Sequence, residues 1–237
     1  MSGDAFFRLY ADLPREGPGD RATLDRALAL AQVRPDARIL DAGCGSGADV
    51  GGLLAHAPQG RVTAIDTHAP FVARIRAAHE GDPRVGAEAA DMAAPPGGPF
   101  ELIWSAGAAY FLGVERALRT WRAHLAPGGK VAFSQLCWRV ADPSRAARDF
   151  FDADYPAMTD AAGVRDQVAR AGWLILGDFW LSRAAWDAYY APLAARAAKL
   201  RAEPGMAEVC DQSLAEAALW RSHGGDYGYL QIVAQPG

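Results

Sequence analysis

The chain of 237 residues has no excess of positive charge. Its 24 Lys and Arg residues are outnumbered by 28 Asp and Glu residues, which leaves a formal net charge of −4. Proteins that bind nucleic acid or anionic membranes usually carry a basic patch or stripe. We therefore predict that neither nucleic acid nor a membrane surface is a partner.

Long apolar runs and paired cysteines are also missing. No apolar run approaches the ~20 residues of a membrane-spanning helix, and residues 1–10 lack a signal-peptide core. Cys44, Cys137 and Cys210 are odd in number, far apart and without metal-ligand spacing. The five histidines do not cluster either. These absences predict a cytoplasmic protein without a metal site, and they leave the catalytic residue unknown.

The central part of the chain alternates between strand-like and helix-like patterns. We predict helices over 49–57, 69–79 and 114–125, and a turn at Pro127-Gly128-Gly129. The predicted strands are 38–41, 62–66, 85–89, 102–105 and 130–135. Such alternation favours parallel strands joined by helical crossovers, and hence a doubly wound α/β sheet.

Both ends of the chain depart from this alternation. The first part reads as helices over 4–13 and 21–32. After residue 135 we predict helices over 144–152, 161–171, 184–201 and 207–220, and strands over 173–179 and 227–234. Without internal repeats or linkers, one domain over 1–237 is expected, with a helical insertion before the last strand.

A glycine-rich turn follows the first predicted strand. Asp41-Ala42-Gly43-Cys44-Gly45-Ser46-Gly47 spells D-x-G-x-G-x-G, and a helix is predicted directly after it. Glycines let the backbone bend sharply and let a ligand lie against main-chain N–H groups, while a helix N-terminus favours negative charge. A dinucleotide fingerprint would read G-x-G-x-x-G, but Ala48 occupies the place of its third glycine. A purely structural tight turn is the alternative.

Acidic residues follow three successive strands. Asp41, Asp66 and Asp91 are spaced twenty-five residues apart. Asp66 suits a ribose, because a carboxylate accepts two hydrogen bonds from a vicinal diol, and NAD would use such an acid as well. Asp91 with Met92 suits adenine, because the carboxylate would accept a hydrogen bond from the exocyclic amine. Each acid taken alone could instead cap a helix or lie in a solvated loop.

The D-x-G-x-G-x-G turn with its three acids resembles the first motif of class I S-adenosylmethionine-dependent methyltransferases. This resemblance implies a Rossmann-like, mostly parallel seven-stranded sheet with an antiparallel last strand. It also implies methyl transfer from S-adenosylmethionine to a small-molecule acceptor by in-line displacement, with Asp41 near the cationic end of the methionine moiety. Two alternatives stay open: a non-catalytic S-adenosylmethionine-binding protein and an NAD-dependent Rossmann oxidoreductase.

Two further segments are similar to a branch of bacterial methyltransferases. The run from Trp104 to Tyr110 resembles its W-S-E-G-A-I-Y motif, and Arg15-Glu16-Gly17-Pro18-Gly19 resembles its R-Q-G-P-G motif. Ala106 stands where the branch carries Glu, so that carboxylate is absent here. The resemblance divides the domain into an N-terminal helical lid (1–35), a cofactor-binding core (36–136), substrate-side helices and insert (137–225) and the last strand (226–237).

Arg15 lies in a turn that two glycines and a proline define. An Arg held there could bind a carboxylate with both of its nitrogens. We predict that Tyr10 and this turn form a lid whose Arg15 caps the cofactor carboxylate or an acidic acceptor; a solvent-exposed loop is the alternative. The predicted cofactor-binding residues are Asp41, Gly43, Cys44, Gly45, Gly47, Asp66, Thr67, Asp91, Met92, Ser105 and Arg15.

Aromatic residues concentrate in the part of the chain expected over the acceptor. Aromatic walls could stack a planar substrate or surround a cationic nitrogen, although such residues also pack an insert onto a sheet. Among the histidines, His223 before Gly224-Gly225 is the one candidate for a base. The predicted substrate-binding residues are Tyr110, Trp138, Tyr155, Trp186, Tyr190 and His223.

Overall fold

A seven-stranded sheet organises the chain in a computed structural model that describes residues 3–237. Its strand order is β3-β2-β1-β4-β5-β7-β6, and β7 runs antiparallel to both of its neighbours. The mostly parallel sheet with an antiparallel last strand is confirmed. The strands are β1 (Arg38–Ala42), β2 (Arg61–Asp66), β3 (Val85–Ala89), β4 (Phe100–Ser105), β5 (Leu125–Trp138), β6 (Trp173–Trp180) and β7 (Tyr227–Pro236).

Helices cover the sheet and follow the predicted pattern closely. The first two residues of the predicted lid lie outside the described residues. The helices are α1 (Gly3–Tyr10), α2 (Arg21–Ala31), α3 (Val50–His56), α4 (Ala69–Ala78), α5 (Val114–Arg122), α6 (Arg145–Asp154), α7 (Ala161–Arg170), α8 (Arg183–Leu200) and α9 (Ala207–His223). Among the described residues, no helix combines the length and the apolar character that crossing a membrane requires.

The fifth strand begins earlier than the sequence predicts. The helix expected to reach residue 125 ends at Arg122, and Leu125 already pairs with Phe100 across an irregularity in the ladder. Gly128 has φ +74°, and a Cβ on Gly129 would lie only 2.8 Å from the carbonyl oxygen of Phe100. The two glycines therefore bend the strand within the sheet, and the predicted turn at 127–129 is a part of β5.

The strand order places a crevice at the carboxyl end of β1. This strand is buried between β2 and β4, where Ile39 pairs with Val62 on one side and Leu102 on the other. The chain adds β2 and β3 on one side of β1 and then crosses from β3 to β4 on its other side. This reversal makes β1 the topological switch point where open α/β sheets bind ligands.

A helical layer made by α1, α8 and α9 closes the top of this crevice. One hydrophobic cluster joins Leu9 of α1 with Trp186 of α8, Trp220 of α9 and Tyr227 of β7. The rings of Trp186 and Trp220 stack with 4.1 Å between their centroids. This layer contains the predicted helical insertion before the last strand, and the N-terminal helix packs against it.

Candidate functional site

A cleft of about 770 Å³ opens at the carboxyl ends of β1 and β2 beneath the helical layer. Its volume lies within the range of about 300–1,000 Å³ that is usual for small-molecule sites. Many predicted site residues line it together: Arg15, Asp41, Gly43, Cys44, Gly45, Asp66, Thr67, Asp91, Met92, Tyr110, Tyr155 and Trp186. The structure thus brings predicted cofactor-side and acceptor-side residues into one cavity.

Five predicted site residues do not line the cleft. Ser105 is fully buried and donates its hydroxyl to the carbonyl of Ala42 at 2.9 Å, while Gly47 packs beside Ile75. The others, each turned toward a neighbour, are Trp138 (edge-on to Phe151), Tyr190 (donating to Glu216 at 2.9 Å) and His223 (bonded to Ser222 in the last turn of α9). His223 is therefore not placed to act as the base.

The glycine turn uses its own main-chain donors. All five N–H groups from Gly43 to Gly47 donate to acceptors within the protein. In order, the acceptors are the carbonyl of Ile65 for the first two (2.9 Å each), Asp66 Oδ2 (3.0 Å), Glu16 Oε2 (2.9 Å) and the carbonyl of Cys44 (3.0 Å). The expectation that a ligand would lie against these N–H groups is wrong, because each of them already donates within the protein, two of them to carboxylates.

Negative charge dominates the cleft. Arg15 is the single Lys, Arg or His among its lining residues within 3–237, and it lies 3.6 Å from Asp49. The lining carboxylates are Glu16, Asp41, Asp49, Asp66, Asp91 and Glu216. A concave site walled by acids raises the local concentration of cations and repels anions.

Two of these carboxylates keep a buried oxygen without a hydrogen-bond partner. They are Oδ2 of Asp41 and Oε1 of Glu16. Asp41 is only 2% exposed, and burial, with the charges of Asp49 and Asp66, raises the pKa of its carboxyl well above the usual range. Burial also raises the pKa of Glu16. Because buried polar atoms are nearly always bonded, these oxygens indicate a ligand that brings N–H or cationic donors.

Asp66 is fixed at the end of β2 by two main-chain donors. Its oxygens accept from the N–H groups of Gly45, at 3.0 Å, and His68, at 2.8 Å. Each oxygen retains a second lone pair, so the carboxylate can also accept from a diol. The ring of His68 stacks on Phe7 of α1 with 3.5 Å between centroids, which links the N-terminal helix to this edge of the cleft.

Asp91 and Met92 lie in the loop that follows β3. Asp91 is exposed and accepts from the N–H of Ala93 at 2.8 Å. The carbonyl of Met92 accepts from the indole N–H of buried Trp121 at 2.9 Å. The loop is therefore held from below by α5, while both residues border the cleft.

The predicted lid turn folds into the cleft. The side chain of Arg15 is only 13% exposed and donates from Nε to the carbonyl of Gly17 at 2.6 Å. The alternative of a surface loop with Arg15 in solvent is therefore wrong. Whether Arg15 binds a carboxylate stays a prediction, and its neighbour Glu16 caps the glycine turn.

Aromatic rings line a further part of the cleft, which we call the aromatic chamber. Its lining residues are Tyr10, Tyr110, Tyr155, Trp186, Tyr189 and Tyr229, together with the carboxylate of Glu216. The hydroxyls of Tyr10 and Tyr189 bond to each other at 2.7 Å. Burial, with the negative charge of Glu216, raises the pKa of Tyr110 to about 12. The phenols therefore stay protonated near neutral pH, and Tyr110 is not a base.

Sequence reasoning did not identify Glu16, Tyr189, Tyr229 or Glu216 as site residues. Glu16 lies next to Arg15 in the turn of residues 15–19, and no local pattern there indicates its contact with Ser46. Glu216 recurs at helical spacing with Val209, Ser213 and Trp220, the buried face of α9. A carboxylate on a buried helix face was the available signal, since an acid is rarely placed there without a partner.

A methyltransferase family model matches the part of the chain that contains β1 to β4. Residues 39–129 match the family model described as "Methyltransferase domain". The chain is also similar to malonyl-[acyl-carrier protein] O-methyltransferase from Enterobacter lignolyticus, with 29% identity over 181 residues. That alignment covers 70% of this chain and 68% of the relative.

Solved structures of S-adenosylmethionine-dependent methyltransferases share the whole fold. One from Geobacter sulfurreducens, in complex with S-adenosylhomocysteine, superposes with a TM-score of 0.84 at 20% identity and covers 99% of this chain and 98% of its own. Another from Thiobacillus denitrificans, with the same ligand, reaches 0.83 at 18% identity and covers 98% of each chain. The chain therefore has the fold of these enzymes, and its residues 39–129 match a methyltransferase domain.

Proposed function

We propose that this protein is a methyltransferase that binds S-adenosylmethionine in the acidic cleft and transfers its methyl group to a small-molecule acceptor. The carrying observation is the self-capped glycine turn, in which the N–H groups of Gly45 and Ser46 donate to Asp66 and Glu16. A pyrophosphate needs such donors and would meet like charge there. A sulfonium cofactor with an ammonium group suits the same acids, which argues against the NAD-dependent alternative.

The lining residues provide a partner for each part of this cofactor. The orphaned oxygens of Asp41 and Glu16 would accept from the ammonium group, and Arg15 would bind the neighbouring carboxylate. Asp66 would accept from the ribose diol. Asp91 would accept from the adenine amine beside Met92, as the sequence predicts.

The chain contributes to catalysis by positioning the two reactants and by excluding water. The cofactor, when bound, supplies a methyl group activated by a sulfonium. The layer of α1, α8 and α9 covers the cleft, so an acceptor in the aromatic chamber would be held next to the cofactor half. Holding two reactants in line accounts for a large part of the rate in such displacements. We assign no residue as a general base.

Titration calorimetry with S-adenosylhomocysteine and with NAD tests this proposal. We expect S-adenosylhomocysteine to bind at one site per chain and NAD to give no measurable heat of binding. Binding of NAD without binding of S-adenosylhomocysteine would overturn the proposal in favour of a dehydrogenase. Binding of the product with no turnover of any acceptor would favour a non-catalytic binding protein.

Replacing Asp66 by Ala should weaken S-adenosylhomocysteine binding by roughly 1.5–3 kcal/mol, the usual value of a hydrogen bond to a charged group. This corresponds to an affinity about 10- to 150-fold lower. Calorimetry measures the affinity, and thermal unfolding shows whether the loss of the Gly45 and His68 contacts also costs stability. Asp36→Ala, at an exposed acid outside the cleft, is the control. An affinity equal to that of the control would exclude Asp66 as a ligand.

The Arg15→Ala variant should bind S-adenosylhomocysteine about tenfold more weakly, because a charged hydrogen bond to the cofactor carboxylate is lost. Arg145→Ala removes an almost fully exposed arginine and should leave the affinity unchanged. A rise confined to the acceptor KM would place Arg15 against the acceptor instead. Unchanged affinity and unchanged KM would remove support for the lid.

We further propose that the protein is cytoplasmic and that residues 1–237 form one domain, as the sequence predicts. Cys44, Cys137 and Cys210 are all buried and unpaired, which supports a reducing cytoplasm. The shared cluster of Leu9, Trp186 and Tyr227 supports a single functional domain. The similarity to the bacterial branch with W-S-E-G-A-I-Y remains a prediction.

A further inference from the structure

The aromatic chamber holds one carboxylate and no basic side chain among the lining residues that the structure describes. Arg15, the basic residue of the cleft, is engaged with Asp49 on the cofactor side. Glu216 enters the chamber from α9, and its charge contributes, after burial, to the raised pKa values of Tyr10, Tyr189 and Tyr229. The charge of Glu216 therefore acts on tyrosines from several elements that line the chamber.

The hydroxyl groups around Glu216 are directed at each other and at the carboxylate. Tyr190 lies outside the lining and donates to Oε1 of Glu216 at 2.9 Å. Tyr10 and Tyr189 pair with each other at 2.7 Å. The hydrogen bond from Tyr190 stabilises the ionised carboxylate, and the rings offer π surfaces, which are negative on their faces.

We propose that the aromatic chamber recognises a cationic amine, with Glu216 as its counter-charge, so that the methyl acceptor is a small amine. This inference rests on the proposed function and names the class of its acceptor. Aromatic faces and a carboxylate both attract an organic cation. A carboxylate acceptor would instead meet the like charge of Glu216, so the malonyl group named for the curated relative does not suit this chamber.

The reaction balances for an amine without a further reactant. The bound ammonium group first releases a proton to water. The lone pair of the resulting neutral nitrogen then forms the bond to the methyl carbon, while the carbon–sulfur electron pair remains on sulfur as a neutral thioether. A nitrogen that carried hydrogen then releases one proton to water. Glu216 binds the protonated form and the cationic product, and it is not required to remove the proton.

Three probes of the same shape and different charge test the chamber. Binding of choline, 3,3-dimethylbutan-1-ol and 3,3-dimethylbutanoate to the enzyme saturated with S-adenosylhomocysteine is measured by calorimetry. We expect choline to bind at least about tenfold more tightly than the neutral alcohol, and the anion to bind most weakly. Equal binding of the three, or no measurable binding of any, overturns the inference.

A pair of variants on one helix identifies the source of the preference. Glu216→Gln keeps a carbonyl oxygen for Tyr190 and removes the charge, so the preference for choline should fall to about twofold or less. Glu208→Gln, at an exposed position of α9, should retain it. A preference that survives in Glu216→Gln contradicts the assignment, and thermal unfolding confirms that both variants are folded.

Failure of this inference is distinct from failure of the proposed function. If wild-type enzyme does not bind S-adenosylhomocysteine, the proposed function itself is wrong. If it binds the product and methylates a phenol, a thiol or a carboxylic acid in a panel that includes amines, only the amine assignment is overturned.

Discussion

Gly43→Ala is expected to lower the free energy of unfolding by roughly 2–5 kcal/mol and to abolish cofactor binding. Gly43 has φ +74°, which costs about 1–2 kcal/mol for a residue with a Cβ. The new methyl carbon would lie 2.5 Å from the Cβ of Ala108, and overpacking typically adds about 1–3 kcal/mol. Relief of this clash has to move the turn away from the strand ends. Urea unfolding and calorimetry with S-adenosylhomocysteine measure the two effects.

Gly51→Ala provides the matched control for this variant. Gly51 lies exposed in α3 without a positive φ, and nothing would lie within 4 Å of an added Cβ. Alanine there should leave cofactor affinity unchanged and raise stability by about 0.5–1 kcal/mol, since glycine is unfavourable inside a helix. Equal stability and affinity of the two variants would mean that the turn tolerates a side chain at residue 43.

Asp41→Asn should stabilise the free enzyme at neutral pH while it weakens S-adenosylhomocysteine binding by roughly 1.5–3 kcal/mol. Burial raises the pKa of Asp41 in the folded state well above its unfolded value. As pH rises above about 4, the unfolded chain releases this proton first, and the folded state becomes less stable until the raised pKa is passed. An asparagine has no such proton, so this loss disappears.

The comparison requires unfolding measured over a range of pH and binding measured at neutral pH. Wild type should lose stability relative to Asp41→Asn as pH increases from about 4 toward neutrality. Asp36→Asn is a control of opposite sign, because its hydrogen bond with Arg34 lowers the pKa of that exposed carboxyl. An Asp41→Asn variant that is less stable than wild type and binds the product equally well would contradict the proposed role of the carboxylate.

Local patterns were sufficient to predict the alternation of strands and helices, whereas the antiparallel last strand was implied by the family resemblance. The strand from Val85 to Ala89 and the helix near 161–171 are encoded by short-range alternation and periodicity, and both are present within a residue of their predicted bounds. The bend in β5 was missed, because Gly128 and Gly129 read as a turn when the partner Phe100 is not known. Signals that depend on a second strand cannot be read from one segment.

The candidate site was predictable where the chain positions a residue at a strand end. Asp41 and Asp66 belong to that group. The aromatic residues of α8 that line the site were harder to predict, because successive helical side chains project about 100° apart. Tyr189 lines the cleft while the predicted Tyr190 supports Glu216 from outside. The contact of Glu16 with Ser46 spans thirty residues, and no local pattern contains it.

The self-capped glycine turn also restricts how the enzyme could evolve a different cofactor. Loss of Glu16 would free the N–H of Ser46 alone, because the N–H of Gly45 would still be held by Asp66. Asp66 cannot simply be discarded, since a dinucleotide also needs an acid for its ribose. A lineage starting from this chain would have to change distant positions together before a pyrophosphate gained any advantage. Under the proposed function, we therefore expect single mutations to leave cofactor identity unchanged, while the cleft-lining residues of α8 and α9 can diversify.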